Sequence, residues 1–260
     1  MRLILSLLVL AVLVLGVWTF QIAPEHDWWF PKDVSTYGGE IDHLFDVILV
    51  LVGVTFVLTE AALVWCIFAY GRKRSDKAYF THGNHRLEQV WTAIPAVILL
   101  WLAFAQMETW AHIKFDRNFP DGAYSIEEPI AQVYASQFDW RVRYPDENGS
   151  FEGANVVESP FDFYVPVNTP IVFHLKSRDV LHSFFLPNLR LKQDAVPGMV
   201  IPVWFEATEI GAYDLICAEL CGWGHYKMAG KVHVVSQEDY DAWLAEQRAD
   251  LRSNGMEDVE

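Results

Sequence analysis

Residues 130–144 read IAQVYASQFDWRVRY. From Asp139 to Tyr144, apolar Trp140, Val142 and Tyr144 alternate with Asp139, Arg141 and Arg143, and a period of two is what a strand with one buried face requires. Further β-rich runs follow at FDFYVPVNTPIVFHLKS (161–177), VWFEAT (203–208) and GKVHVV (230–235). The turn PDENG (145–149) and Pro166, Pro170, Pro187 and Pro197 punctuate them. Roughly a hundred residues of this kind predict a small antiparallel sandwich or barrel over 121–235, rather than a helical or βαβ arrangement. Beyond it, Ser236 and Asp239 stand at capping-box spacing, and Tyr240, Trp243, Leu244, Gln247 and Leu251 recur at helical intervals. Residues 236–260 are therefore expected to form a helix packed on the β-domain, with an acidic tail.

Upstream the pattern changes to long apolar runs. LILSLLVLAVLVLGV (3–17) carries no charge, 44–70 is apolar apart from Asp46 and Glu60, and 87–110 is apolar after Glu88 and Gln89. All three are candidate spans, and the last two predict a transmembrane hairpin over 42–112. The intervening GRKRSDKAYFTHGNHR (71–86) holds Arg72, Lys73, Arg74, Lys77 and Arg86 against Asp76, which places it in the cytoplasm and the β-domain outside. Residues 1–20 have two readings, a signal peptide or an extra first helix. The following VWTFQIAPEHDWW lacks a small-x-small cleavage step, which favours the helix and leaves the signal open.

Of the formal charge of −15, most is exported: from Asp121 onward twenty-three acids face ten bases, a balance of −13. Such a surface excludes nucleic acid as a partner. It serves either solubility alone or the steering of a basic partner.

Only three cysteines occur, and two of them, Cys217 and Cys221, fall in CAELCGWGHYKM (217–228). An exported pair defaults to a disulfide, which would leave His225 and Met228 without a role. Thiolate, imidazole and thioether at this spacing suit a soft metal such as copper, and the methionine disfavours zinc. His182, in DVLHSFFLPN, is the second histidine expected from elsewhere in the domain; His174 and His233 sit inside alternating runs and read as strand-face residues. Because a mononuclear blue-copper centre uses one cysteine, the extra thiolate argues for two bridged coppers acting as an electron relay.

CAELCGWGHYKM, LHSFFLPNLRLKQDAVPG (181–198) and LEQVWTAIPA (87–96) together resemble subunit II of the haem-copper cytochrome c oxidases, from about Asp42 to Val235. The resemblance implies a cupredoxin-like domain anchored by transmembrane helices, α+β overall, in the cytoplasmic membrane of a bacterium. It implies a binuclear CuA centre with Cys217 and Cys221 bridging, His182 and His225 terminal, Met228 on one copper and the backbone carbonyl of Glu219 on the other. The Glu219 side chain would reach an interfacial magnesium or manganese. Glu88 would mark a proton-channel entrance towards subunit I, where oxygen is reduced to water and protons are translocated. Members accepting electrons from a c-type cytochrome carry Gln-Trp-aromatic-Trp; here Gln137, Phe138, Asp139 and Trp140 stand instead. Phe138, Trp140 and Trp223, inside the copper loop, are thus the candidates for where electrons enter. No Cys-x-x-Cys-His occurs, so no covalent haem is expected in this chain, whose partners would be the oxidase subunits, lipid and a separate donor. Alternatives are the CuA subunit of a related nitric oxide reductase and a membrane-tethered copper-delivery protein. A quinol oxidase subunit would lack the ligand set.

Overall fold

A computed structural model describes residues 2–26, 28–70, 80 and 82–257. The chain forms two compact units, Met1–Trp29 with Asp42–Thr109, and Phe30–Ile41 with Trp110–Glu260. In the first, three helices are long and apolar enough to cross a membrane, with spans at Ile4–His26, Gly38–Tyr70 and His85–Lys114. They are α1 (Arg2–Ile22), α2 (Gly38–Tyr70) and α3 (His85–Ala105), followed by the short α4 (Met107–Lys114). Helices suit this setting because every backbone bond closes within the segment. Polar side chains in α2 are also satisfied internally: the hydroxyls of Thr55 and Thr59 donate to the carbonyls of Leu51 and Thr55, at 2.8 and 2.7 Å. The α1 and α2 helices meet where Gly16 seats the Phe56 ring and Gly53 the Phe20 ring, small residues allowing close approach. Most of the basic stretch used to orient the hairpin, including Arg72, Lys73, Arg74 and Lys77, lies outside the described residues.

The second unit is a sandwich of two five-stranded sheets. One has the order β3 (Val157–Pro160), β2 (Asp139–Tyr144), β1 (Ala131–Ser136), β5 (Ile171–Ser177), β8 (Ile201–Phe205). The other runs β4 (Asp162–Pro166), β10 (Ala229–Val235), β9 (Gly211–Cys217), β6 (His182–Leu186), β7 (Leu191–Ala195). The opening stretch is not one strand but a hairpin: β1 and β2 pair antiparallel, with Ser136 opposite Asp139, so Gln137 and Phe138 form its tip. Unlike the all-antiparallel expectation, β1 with β5 and β4 with β10 are parallel. The chain changes sheet between β4 and β5, and a strand returning from the opposite layer is free to enter in either direction.

Inward aromatic rings from both sheets fill the core. Phe163 lies 5.4 Å from Phe173, which lies 5.1 Å from Phe184, and Trp140 stands edge-on to Phe184 at 5.4 Å. The buried Tyr144 hydroxyl clamps the layers by donating to the Tyr164 carbonyl at 3.0 Å and accepting its N–H at 2.7 Å. Helix α5 (Gln237–Glu257) begins as expected at Ser236, whose hydroxyl accepts the Asp239 N–H at 3.0 Å. The Asp239 carboxylate returns to that hydroxyl, at 2.7 Å, rather than to the Ser236 backbone. Trp243 then stacks on Tyr164 at 4.2 Å, joining α5 to the sheet.

Residues 30–41 belong to this unit, although nothing in their composition marks them as part of a β-domain. Val34 and Tyr37 are buried, the N–H of Val34 donates to the Asn188 carbonyl at 2.9 Å, and the Thr208 N–H donates to the Val34 carbonyl at 2.9 Å. Tyr37 meets Trp204 edge-on at 5.1 Å.

Candidate metal centre

The cysteine loop occupies one end of the sandwich. Strand β9 ends on Cys217, whose N–H donates to the Met228 carbonyl at 3.1 Å, closing the segment 217–228 into a loop. Strand β6 runs beside β9 with Phe184 opposite Cys217, which sets His182, the first residue of β6, next to the loop. The segment HSFFL, not among the β-rich runs read from the sequence, is therefore a strand. The alternation of Ser183 with Phe184 is too short to reveal it, and its apolar neighbours on both sides conceal the period.

The two thiols lie 3.9 Å apart and are free in this structure, well beyond the length of a sulfur–sulfur bond. His182, Cys217 and Cys221 converge with all ligand atoms within 4.8 Å of one another, and each residue is buried. Around them, Nδ1 of His225 stands 3.7 Å from Cys221 Sγ, Met228 Sδ 3.8 Å from the same sulfur, and the Glu219 carbonyl 3.3 Å from Cys217 Sγ. All six residues singled out in the sequence are thus together. His174 and His233 are elsewhere. His174 lies on β5, where burial depresses its pKa, and His233 bonds Asp162 at 2.8 Å and stacks on Tyr164.

Chemically, the cluster fits a soft cation. Burial, with Cys217 alongside, pushes the Cys221 thiol up to about 11, so adjacent thiolates here need positive charge between them. Asp179 Oδ1 lies 2.8 Å from Nε2 of His182, holding the ring with Nδ1 towards Cys217 at 4.0 Å. Burial raises the Asp179 pKa, but the bonds from His182 and from the N–H groups of Gln137 and Val180 outweigh this and hold it below the ordinary value. Asp179 is absent from the sequence reading. Its signal is only that a carboxylate stands three residues before a candidate histidine.

The hairpin tip rests on this loop. Gln137 donates its side-chain N–H to the Cys221 carbonyl at 2.6 Å, and Phe138 meets Trp223 edge-on at 5.2 Å. A Cβ on Gly224 would stand 2.5 Å from the Phe138 ring, and one on Gly222, where φ is +139°, 2.9 Å from Gln137 Nε2. Trp223 is 76% exposed, Phe138 half-buried and Trp140 fully buried, its ring 6.3 Å from that of His182. Glu88 is partly exposed in the first turn of α3, 3.1 Å from Nδ1 of His85, just after the Asn84 cap.

Apolar spanning helices carrying a cupredoxin-like sandwich, with a sulfur and imidazole cluster at one end, define a membrane-bound cupredoxin. Family models match both parts: cytochrome c oxidase subunit II, transmembrane domain, over residues 23–109, and its periplasmic domain over 134–235. Cytochrome c oxidase subunit 2 of Cereibacter sphaeroides is 30% identical, the match covering 84% of this chain and 80% of the relative. The alternative cytochrome c oxidase subunit 2 of Bradyrhizobium diazoefficiens is 28% identical, over 93% and 91%. A crystal structure of the periplasmic domain of subunit II of cytochrome oxidase of Bradyrhizobium japonicum is 25% identical, covering 51% of this chain and 99% of that one, with a TM-score of 0.44. The chain belongs to the cytochrome c oxidase subunit II family. Membership makes it part of a haem-copper oxidase that partners subunit I, and implies copper and respiratory electron transport. The nitric oxide reductase and copper-delivery alternatives are not favoured.

Proposed function

We propose that this chain receives electrons outside the cytoplasmic membrane at a binuclear copper centre and passes them to haem in subunit I. The observation that carries this reading is the convergence of two free, buried thiols with His182, where one cysteine would serve a mononuclear site. Cys217, Cys221, His182, His225, Met228 and the Glu219 carbonyl would hold the copper. When bound, copper shared across two thiolates supplies reversible one-electron transfer with little rearrangement. The chain's residues do the rest. Asp179 orients His182, and Gln137 anchors the loop through the Cys221 carbonyl. Burial on the sandwich excludes water from the sulfurs.

Trp223 is the favoured point where electrons enter, since it is exposed and touches Phe138, which occupies the position of the family's tryptophan. Buried Trp140 would line the inner side of the site. The Glu219 side chain is assigned to an interfacial magnesium or manganese, and Glu88 to a proton-channel entrance on the cytoplasmic side. The capped, partly exposed start of α3 supports the latter. Oxygen reduction and proton translocation belong to the partner.

Electron paramagnetic resonance of the copper-loaded, membrane-extracted protein tests the reading. One electron shared equally by two copper nuclei gives a seven-line pattern. A four-line pattern, from one copper, would sink it.

A further inference from the structure

Outside the metal cluster, the least expected feature of this acidic chain is a group of cations on the outer face of the first sheet. Tyr134 on β1 lies opposite Arg141 on β2 and beside Lys176 on β5. Three cations surround its ring: the guanidinium of Arg178 at 4.7 Å, the ammonium of Lys176 at 5.3 Å and the guanidinium of Arg143 at 6.0 Å. The acids nearby are already engaged. Glu158 pairs with Arg143 at 2.9 Å, Asp139 with Arg141 at 3.0 Å, and Asp179 with His182. Among the described residues, Lys176 and Arg178 have no carboxylate within ion-pair distance, and Lys176 is held by the neutral Gln132 and Tyr134 oxygens at 3.0 and 3.4 Å. Gathering like charges costs energy unless something anionic covers them.

This group adjoins the metal loop. Arg178 is bonded to the end of β1 through the Ala135 carbonyl, at 3.0 Å, and the next residue, Asp179, accepts the Gln137 N–H at 2.7 Å. Gln137 in turn holds the Cys221 carbonyl, and Phe138 supports Trp223. At Trp223 a further cation appears, the Lys227 ammonium 4.6 Å from its ring, with no acid in ion-pair distance among the described residues. The surface thus has an exposed but supported aromatic centre with Lys227 on it and Lys176 and Arg178 beyond the hairpin tip. Aromatic anchors inside a charged rim are how protein interfaces concentrate affinity and select partners by sign. Helix α5, by contrast, is acidic: it carries Glu238, Asp239, Asp241, Glu246, Asp250 and Glu257 against Arg248 and Arg252. Lys176, Arg178 and Lys227 therefore leave unpaired positive charge beside the metal loop of a net acidic domain, although Asp139, Glu158 and Asp179 share the face.

We propose that this face, from Tyr134 with Lys176 and Arg178 to Trp223 with Lys227, docks a one-electron donor protein whose own contact face is acidic. The inference rests on the reading of the metal centre as an electron acceptor. Each encounter oxidises the donor by one electron and reduces the centre by one, with no bond made or broken. Carboxylates on the donor meet the unpaired cations, and Trp223 packs against the donor's apolar patch.

The test uses the oxidase complex containing this chain, driven in turn by an acidic c-type cytochrome, a basic c-type cytochrome and the small reductant tetramethyl-p-phenylenediamine, which needs no docking. For the acidic probe, kcat/KM is expected to fall on the order of tenfold as salt rises to physiological strength and above. The Lys176→Glu, Arg178→Glu double variant should lower it by a similar factor at low salt. The same variant should oxidise the small reductant at the parental rate. Trp223→Ala should lower kcat/KM for the acidic probe at both low and high salt, because its contact is short-ranged. A basic probe that is preferred, with kcat/KM falling as salt rises and indifferent to the charge reversal, overturns the proposal. So does self-association of the complex that the charge reversal abolishes, which would assign the patch to a second copy. Failure of all three reductants, or a spectrum without shared copper, would instead reject the metal-centre reading.

Discussion

Gly224 illustrates how much of the site depends on single atoms. Its φ is an ordinary −92°, so the demand for glycine is one of space: an added methyl would stand 2.5 Å from the Phe138 ring. Gly224→Ala is expected to displace the loop and weaken copper retention, and Phe138→Ala in the same chain should restore it by vacating the space. Copper retention of the single and double variants during dialysis against a competing chelator checks this. Asp179→Ala should lower copper affinity roughly 10- to 100-fold while leaving the sandwich folded, because it removes the bond that orients His182 together with the acceptor of the Gln137 and Val180 N–H groups. A competition titration, with circular dichroism for the fold, reads both. The ligand types were legible in CAELCGWGHYKM because they crowd twelve neighbouring positions. Gln137 was not legible as a support, since 84 residues separate it from Cys221 and its bond exists only once the hairpin tip meets the loop.

At the scale of elements, the alternation in β2 and the capped, amphipathic start of α5 were readable locally, whereas β6, β7 and β9 were not. These strands carry short or irregular patterns, and neighbours on either side decide their conformation. Helix α5 depends on its aromatic contact with the sheet, where Trp243 stacks on Tyr164 and meets Tyr144 edge-on at 5.0 Å. Trp243→Ala should therefore destabilise the β-domain by about 2–3 kcal/mol, below the range for a fully buried tryptophan because the ring is partly exposed. Denaturant unfolding followed by far-ultraviolet circular dichroism measures it. An unchanged midpoint would mean that α5 contributes nothing to the sandwich.

For the molecule as a whole, the boundary between membrane helices and β-domain is not where composition changes. Residues 30–41 precede α2 for most of their length yet supply Val34 and Tyr37 to the second unit, with Tyr37 only 1% exposed. Tyr37→Ala should cost roughly 3–4 kcal/mol, read as a lower thermal midpoint of the β-domain transition by calorimetry. Copper removal should lower the same midpoint, because a ligand bound only by the folded state contributes about 4 kcal/mol at a thousandfold excess over its dissociation constant. From sequence alone came the spanning helices, the β character of the part that follows them, the candidate ligand set and the family, because hydropathy, alternation and close spacing of soft donors are written in neighbouring residues. Tertiary structure alone decided the hairpin tip at Gln137 and Phe138, the Asp179 support, the recruitment of residues 30–41 and the cationic face within an acidic domain. Each of these is a meeting of residues distant along the chain, and only packing brings such residues together.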